Sequence, residues 1–211
     1  PTPIADAYIP PANAGESQEC YPLDVYLCQL CAHVQLLDVV NPELLYRQYN
    51  YVTVSSPGLS EHFQQYVNTV LSKVGASKGS FVIDLGSNDG TLLKCFQMRG
   101  MRVLGVDPAQ EIARIATEQG TETLPNFFDS ELAQQIRHER GPANVITANN
   151  IFANVDDLDA MITGIRHLLA DDGVFVFETG YLLSMVENLV FDNIYHEHLS
   201  YYAVKPLDEF F

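Results

Sequence analysis

Five short, largely apolar segments alternate with amphipathic segments between residues 80 and 179, and this alternation constrains the fold more than any other feature of the chain. The apolar segments have the length of buried strands, and the intervening segments place apolar residues at helical spacing. Strands that are apolar on both faces belong to parallel sheets covered by helices, and right-handed crossovers connect them. The sequence therefore predicts an α/β fold with a Rossmann-like, doubly wound, mostly parallel sheet.

The acidic composition of the chain argues against two classes of partner, nucleic acids and membranes. The 211 residues include 11 Lys and Arg against 27 Asp and Glu, a formal net charge of −16. Such a surface repels phosphate backbones and anionic headgroups, so we expect no nucleic-acid partner and no membrane partner. The chain has four cysteines, no apolar run approaching the roughly 20 residues of a membrane span and no secretory signal. We expect a cytoplasmic protein with small-molecule ligands or protein partners.

The segment DLGSNDG, residues 84–90, occupies the first strand-to-helix turn of the predicted sheet. Its glycines, Gly86 and Gly90, allow the backbone to approach a ligand at a helix amino end. The segment lacks the GxGxxG spacing of dinucleotide sites, and the carboxylates of Asp84 and Asp89 disfavour a pyrophosphate. They favour a ligand with an ammonium and a sulfonium group, such as S-adenosylmethionine, because opposite charges attract in a partly desolvated cleft.

Asp107 ends the second predicted strand, about 20 residues beyond Gly86. At this interval an acidic side chain accepts hydrogen bonds from ribose hydroxyls, which supports an adenosine-containing ligand. The alternative is that Asp107 caps the helix after Pro108 and that Asp84 is a solvated strand end.

Residues 191–202, FDNIYHEHLSYY, concentrate histidine, acid and tyrosine just after the fifth predicted strand. Methylation of a carbon atom requires a base of near-neutral pKa and a donor that stabilises an oxyanion, and histidine and tyrosine suit these tasks. Two other interpretations stay open. In the first, His196 and His198 would be metal ligands; in the second, the tyrosines would only pack as amphipathic side chains.

Cys28 and Cys31 form a CxxC pair, which has the spacing of half a structural zinc site. A closed site needs two more ligands, for which Cys20 and His33 are candidates. A redox role is disfavoured because the pair does not open a helix in a thioredoxin-like unit. We expect a partial structural zinc site.

The segments DLGSNDGTLL, GVDP and TANN resemble the cofactor motifs of class I S-adenosylmethionine-dependent methyltransferases. The run FDNIYHEHLSYY, of pattern FDxIYHEHxSYY, resembles a signature of the NDP-deoxysugar C-methyltransferases, and the resemblance extends from about Glu19 to the end. It implies an S-adenosylmethionine site formed by Asp84, Gly86, Ser87, Asn88, Gly90, Asp107, Pro108, Phe127, Asn149 and Asn150.

The same resemblance implies that His198 is the catalytic base, with Tyr195 and Glu197 beside it and His196 as a competing candidate. The implied reaction removes the C3 proton of a nucleotide-linked 4-ketosugar, and the enolate takes up the methyl group. The resemblance also implies a small N-terminal zinc domain, in which Cys28 and Cys31 match the second of two cysteine pairs. Residues 46–51 are implied to help close the active site.

We predict three parts: an N-terminal arm with a partial zinc-binding-like module at 1–57, an S-adenosylmethionine-binding Rossmann-like domain at 58–180, and a substrate-site segment at 181–211. The chain opens at Pro1 and the predicted sheet lacks two strands of a complete class I sheet, so we expect a fragment truncated at both ends. The expected function is C-methylation of a nucleotide sugar. The alternatives are an O- or N-methyltransferase of another small molecule and a non-catalytic fragment that binds a cofactor or, by a sheet edge, a partner. The oligomeric state is not predicted.

Overall fold

The computed structural model describes residues 1–5, 8–47 and 49–211. The chain forms two compact units, which are described separately below. The first unit comprises Pro1–Leu45, Phe152–Asp156 and Thr179–Phe211, and the second comprises Tyr46–Ile151 and Asp157–Glu178. Within the described ranges, no helix combines the length and the apolar character needed to cross a membrane.

The elements follow the chain in a fixed order. The strands are β1 (Val25–Leu27), β2 (Val34–Leu36), β3 (Phe81–Leu85), β4 (Arg102–Val106), β5 (Thr123–Leu124), β6 (Ala143–Asn149), β7 (Leu169–Glu178) and β8 (Ser200–Tyr201). The helices are α1 (Pro42–Tyr46), α2 (Leu59–Val74), α3 (Thr91–Gln97), α4 (Gln110–Glu118), α5 (Ser130–Arg140), α6 (Leu158–Leu168), α7 (Leu182–Glu187) and α8 (Val204–Phe210).

The second unit is built on a five-stranded parallel sheet with strand order β5-β4-β3-β6-β7. Its central strand β3 is buried along its whole length, which explains the continuous apolar run in the sequence. The chain moves outward from β3 through β4 and β5 and then returns to β6 on the other side of β3. This reversal is a topological switch point, where ligands bind in open α/β sheets. The predicted Rossmann-like fold is confirmed.

Helix α2 packs its apolar side into the core of the second unit through Phe63, Val67 and Val70, as its periodicity predicts. The sequence SEHFQQYVNTVLSKVG predicts Ser60 as the amino-terminal cap of this helix, and that prediction is wrong. The helix begins at Leu59, because Gly58 at φ 82° turns the chain into it two residues earlier. The start of α5 follows the ordinary rule, since the side chain of Asp129 accepts a hydrogen bond from the Leu132 amide.

The first unit contains a three-stranded antiparallel sheet of order β1-β2-β8. Its small core joins Leu36, Leu199 and Tyr201 from distant parts of the sequence. The sequence NPELLY predicts a helical turn capped by Asn41 with Pro42 at its first position. Helix α1 begins in this way, and the Asn41 side chain accepts from the Glu43 amide at 3.0 Å. The sequence indicated short strand-like pieces around the CxxC pair, but it did not indicate that residues 200–201 would complete their sheet.

Candidate functional site

The switch point of the parallel sheet holds a buried carboxyl group. Asp84 on β3 and Thr147 on β6 are register partners, and the Thr147 hydroxyl donates to Oδ1 of Asp84 at 2.6 Å. Asp84 is 4% exposed, and burial raises its pKa to about 7 against the opposing effect of this hydrogen bond. The group lies where the strand order reverses, so it is placed for a ligand at the carboxyl edge of the sheet.

The two loop glycines, Gly86 and Gly90, are required by packing within the protein. Both have positive φ, at 71° and 74°. A Cβ atom at Gly86 would lie 2.3 Å from Cγ2 of Ile151, and one at Gly90 would lie 2.7 Å from Cγ2 of Thr121. Protein side chains thus occupy the space that the missing Cβ atoms leave, and the expectation that these glycines admit a ligand to the backbone stays a prediction.

Asp107 is 6% exposed and organises the loop after β3. Its Oδ2 accepts from the backbone amide of Asn88 at 2.8 Å, and its Oδ1 accepts from the amide of Ala109 at 2.9 Å. The second bond belongs to the turn before α4, because that helix begins at Gln110 and its cap residue, Ala109, has no side-chain capping bond; the alternative that Asp107 caps the helix is therefore wrong. Each carboxylate oxygen accepts more than one hydrogen bond, so capacity for ligand hydroxyls remains.

Asn88 and Asp89 bind a segment that precedes α2. We call this segment, residues 49–55, the strap. The Asn88 side chain accepts from the backbone amide of Thr53 at 2.9 Å and donates to the carbonyl of Tyr51 at 2.9 Å, and Asp89 accepts from the amide of Val54 at 2.8 Å. Asn88, expected as a cofactor contact, thus uses its side chain within the protein. The neighbouring Ser87 hydroxyl is buried and has no hydrogen-bond partner in the described ranges.

Four other predicted positions lie at the carboxyl edge of the same sheet. Pro108 follows β4, Phe127 follows β5, Asn149 ends β6 and Asn150 comes directly after it. Asn149 accepts from the Tyr66 hydroxyl at 3.1 Å, and its amide nitrogen is buried with no partner among the described residues. Asn150 has a left-handed backbone at φ 57° and donates its amide to the Glu178 carbonyl at 2.7 Å.

Sequence reasoning missed several polar residues of this edge. Tyr66 and His62 stand one helical turn apart on α2, and Nε2 of His62 lies 2.8 Å from Oε2 of Glu178 at the end of β7. Burial raises the pKa of Tyr66, and the nearby charges of Asp84 and Glu178 act in the same direction. The available signal was the i, i+4 spacing of two polar aromatic residues beside the apolar face of the helix.

The electrostatics of the edge fit a cationic ligand. Asp84, Asp89 and Asp107 are each less than a tenth exposed, and no ion pair to Lys or Arg is formed by any of them within the described ranges. Burial raises the pKa of Asp107 as well, since its two backbone hydrogen bonds only partly offset the desolvation. Buried carboxylates without a counter-charge suit the ammonium and sulfonium groups of S-adenosylmethionine.

In the first unit, Tyr195 and His198 form a hydrogen-bonded pair. The Tyr195 hydroxyl lies 2.9 Å from Nε2 of His198, and Nδ1 of His198 lies 2.9 Å from the Asn193 carbonyl oxygen. Both side chains are partly exposed. Burial lowers the pKa of His198, although the hydrogen bond to Asn193 opposes this effect. The imidazole is therefore neutral near pH 7 and can accept a proton.

The other two members of the predicted catalytic set are buried. His196 is 1% exposed, and its Nε2 lies 3.3 Å from the Tyr21 carbonyl oxygen. Its ring also stands edge-on to the Tyr21 ring, with 6.0 Å between centroids. Glu197 is 4% exposed. Of the two histidines, only His198 is partly exposed and therefore accessible to a substrate.

The CxxC pair lies in a tight turn of the first unit. The Cys28 amide donates to the His33 carbonyl at 2.8 Å, the Ala32 amide donates to the Cys28 carbonyl at 3.0 Å, and the backbone amides of Cys31 and Leu30 lower the pKa of the Cys28 thiol. The imidazole of His33 hydrogen-bonds to the Ser200 hydroxyl at 3.1 Å, and Cys20 is exposed.

A structural zinc ion needs four ligands, and the described ranges contain no cluster of three His, Cys, Asp or Glu side chains that could hold a metal. The two cysteines therefore supply half of a site at most.

Comparison with protein families places these features in context. A family model described as "Methyltransferase domain" matches residues 59–211, and one described as "Putative zinc binding domain" matches residues 1–46. The chain is 34% identical to the C-methyltransferase NovU of Streptomyces niveus over 98% of its own length. It spans 49% of the length of that relative.

Solved structures share the fold at low sequence identity. The plantazolicin methyltransferase BpumL in complex with SAH matches with a TM-score of 0.57 and 11% identity, covering 74% of this chain and 63% of that chain. The PH0226 protein from Pyrococcus horikoshii OT3 matches with a TM-score of 0.52 and 18% identity, covering 66% of this chain and 62% of that chain. These similarities support the assignment of the parallel-sheet fold.

Proposed function

The chain belongs to the methyltransferase-domain family, and from that premise we propose that the protein transfers the methyl group of S-adenosylmethionine to a carbon atom of a nucleotide-linked ketosugar. The hydrogen-bonded pair of Tyr195 and His198 carries the proposal of carbon methylation. A carbon next to a ketone must lose a proton before it can be methylated, whereas a hydroxyl or amine needs less activation. The relative NovU is itself named a C-methyltransferase, which supports the same reaction class.

The proposed cofactor site uses residues of the second unit. Asp84 would attract the positive charge of the cofactor, because its buried carboxyl has no cationic partner among the described residues. Asp107 would accept hydrogen bonds from ribose hydroxyls with the lone pairs that Asn88 and Ala109 leave free. Asn149 would donate its unpartnered amide. When bound, S-adenosylmethionine supplies an electrophilic methyl group for the carbon that has lost its proton.

The proposed base is His198. The Asn193 carbonyl can only accept a hydrogen bond, so the proton of the neutral imidazole resides on Nδ1 and the lone pair on Nε2. Nε2 would take the proton at C3 of a 4-ketosugar, which leaves an enolate on the substrate. Because Nε2 has a single lone pair, the Tyr195 hydroxyl, 2.9 Å away, would leave Nε2 before this step and could then donate a hydrogen bond to the enolate oxygen.

The first test is a calorimetric titration with S-adenosylhomocysteine, the demethylated cofactor product, beside an NAD control. Saturable binding of S-adenosylhomocysteine alone supports the proposed cofactor. Absence of binding to the intact chain contradicts it.

The second test follows the C3 proton of a nucleotide-linked 4-ketosugar in deuterated buffer by NMR. We expect the wild-type protein to exchange it and His198→Asn to exchange it at least about 100-fold more slowly, which is the usual contribution of a general base. The control is His167→Asn, which changes an exposed histidine on α6. Methyl transfer without any exchange at carbon would instead indicate an O- or N-methyltransferase.

A further inference from the structure

The strap is held at its carboxyl end by the loop that follows β3. The side chain of Asn88 accepts from both the amide and the hydroxyl of Thr53, at 2.9 and 3.1 Å, and donates to the carbonyl of Tyr51 at 2.9 Å. Asn88 is 8% exposed and Thr53 is 8% exposed, so the two bonds that join them are shielded from water. Loss of the Asn88 side chain would leave buried donors and an acceptor unsatisfied, which is costly.

The same asparagine is tied to the proposed ribose carboxylate. Its backbone amide donates to Oδ2 of Asp107 at 2.8 Å, while its own backbone has a left-handed conformation at φ 48°. Residues other than glycine adopt this conformation at a cost, which the surrounding hydrogen bonds must offset. Asp107, Asn88 and Thr53 thus form a continuous chain of buried hydrogen bonds from the cofactor edge to the strap.

The other end of the strap is preceded by Arg47, which reaches a second part of the cofactor edge. Its guanidinium lies 4.8 Å from the centroid of the Phe127 ring and donates to the carbonyls of Pro108 and Pro125 at 3.4 and 3.2 Å. A cation over an aromatic face is stabilising and also fixes the orientation of the ring. Arg47, just before the strap, thus contacts Pro108 and Phe127, and the carboxyl end of the strap contacts Asn88. The sequence predicts all three of these contacted residues as part of the cofactor site.

We infer that Asn88 is a positioning residue that couples cofactor binding to the ordering of the strap. The inference rests on the proposed function, since it takes Asp107 as the residue that receives the cofactor ribose. A ligand on Asp107 that stabilises its ionised, hydrogen-bonded state also stabilises the Asn88 conformation that holds the strap. Coupling is reciprocal, so an ordered strap tightens cofactor binding by the same factor by which the cofactor orders the strap.

The inference is tested by hydrogen exchange of the full chain, measured by mass spectrometry with and without S-adenosylhomocysteine. Saturating ligand is expected to slow exchange in peptides covering residues 49–55 by at least about fivefold, the lower end of the coupling found between linked sites. The reporting amides are those of Thr53 and Val54, which donate to Asn88 and Asp89. Unchanged exchange in these peptides, under conditions where calorimetry shows the ligand to be bound, overturns the inference but leaves the proposed function intact.

Variants separate positioning from general stability. Asn88→Gly keeps the left-handed backbone accessible and removes the side chain. We expect it to abolish the ligand-dependent protection of residues 49–55 and to weaken S-adenosylhomocysteine binding by a matching factor of at least about five. Protection equal to wild type in a folded Asn88→Gly protein contradicts the role of Asn88.

A milder pair of variants covers the case in which Asn88→Gly does not fold. Thr53→Val removes only the hydroxyl bond to Asn88, and Thr69→Val removes a hydroxyl bond to the Gln65 carbonyl on the exposed side of α2. Reduced ligand-dependent protection in Thr53→Val but not in Thr69→Val supports the coupling. Equal behaviour of the two variants contradicts it. A failure of wild-type protein to bind S-adenosylhomocysteine contradicts the proposed function itself.

Discussion

The hydroxyl oxygen of Tyr195 lies 2.9 Å from Nε2 of His198, while the other ring nitrogen, Nδ1, hydrogen-bonds to the Asn193 carbonyl. The contact with Asn193 determines the tautomer of the neutral imidazole: a carbonyl oxygen accepts and cannot donate, so the proton is on Nδ1. Tyr195 must then donate to the lone pair of Nε2. The proposed base is thereby kept neutral and oriented, and the residue that would stabilise an oxyanion is its immediate neighbour.

Tyr195→Phe is expected to lower kcat by less than His198→Asn does. The phenylalanine variant loses the oxyanion donor but retains the base, whereas the asparagine variant loses the base. The measurement is the rate of methyl transfer together with the rate of C3 proton exchange for both variants. Tyr26→Phe, which changes an exposed tyrosine on β1, serves as the control and is expected to match wild type. A Tyr195→Phe protein with wild-type rates would remove Tyr195 from the proposed site.

Stability is expected to fall as pH rises toward neutrality because of Asp84. Its pKa is raised from 3.8 to about 7 by burial, so the folded state holds the proton more tightly than the unfolded chain does. The destabilising effect of ionisation is absent below about pH 4, grows between about pH 4 and pH 7, and is complete above that range. Urea denaturation at several pH values is the measurement.

Asp84→Asn is the variant that isolates this effect. Across pH 5 to 7.5, its free energy of unfolding is expected to fall less than that of wild type. The part of the fall that remains is due to Asp107, whose pKa is also raised. Asp171→Asn makes the same charge change at an exposed position of β7 and is expected to follow the wild-type curve. Identical pH dependence in Asp84→Asn and wild type would contradict the assignment.

Affinity for S-adenosylhomocysteine is expected to increase with pH around neutrality. S-adenosylhomocysteine lacks the sulfonium, but its ammonium group favours the ionised form of Asp84, so affinity follows the ionised fraction and rises by about tenfold between pH 6 and pH 8. Thr147→Val removes the 2.6 Å hydrogen bond that favours ionisation, which raises the pKa further and moves this rise to higher pH. Calorimetry at several pH values measures both profiles. A wild-type affinity independent of pH, or a Thr147→Val profile equal to that of Thr69→Val, would oppose the prediction.

Gly86→Ala is expected to destabilise the protein by at least about 2 kcal/mol, through a left-handed backbone at φ 71° and a Cβ only 2.3 Å from Ile151. Gly75→Ala is the matched control, since Gly75 has φ 65° but nothing within 4 Å of the added Cβ. It is expected to cost about 1 kcal/mol, the backbone contribution alone. Combining Gly86→Ala with Ile151→Ala should recover part of the excess in a double-mutant cycle. Equal costs for Gly86→Ala and Gly75→Ala would show that contact with Ile151 is unimportant.

The prediction of the parallel-sheet unit succeeded because its information is local. The apolar run at β3 and the helical periodicity of α2 are each contained in a stretch of neighbouring residues. The Asn41-Pro42 start of α1 is local as well, since a capping side chain reaches only the amides of the next few residues. The Ser60 prediction failed because a glycine two residues earlier changed the backbone direction, and the sequence does not show which of two nearby signals prevails.

The use of the candidate site residues could be predicted only in part. The motif indicated that Asn88 and Asp107 belong to one site, and the structure places them in direct contact. It did not indicate that the Asn88 side chain would be bound to the strap, about 35 residues earlier in the chain. Nor did it indicate His62 and Tyr66, whose polar partners are on β7 and β6.

The sequence by itself determined the order of the elements, the parallel character of the central sheet and the family motif, because periodicity, capping and loop composition depend on residues close together in the chain. Tertiary structure alone decided that β8 completes the sheet of β1 and β2, that Ile151 fills the space left by Gly86, and that Thr147 meets Asp84 across the switch point. These pairings join segments far apart in sequence. They are selected by packing and by the need of buried polar groups for partners, which come into effect only when the whole chain has folded.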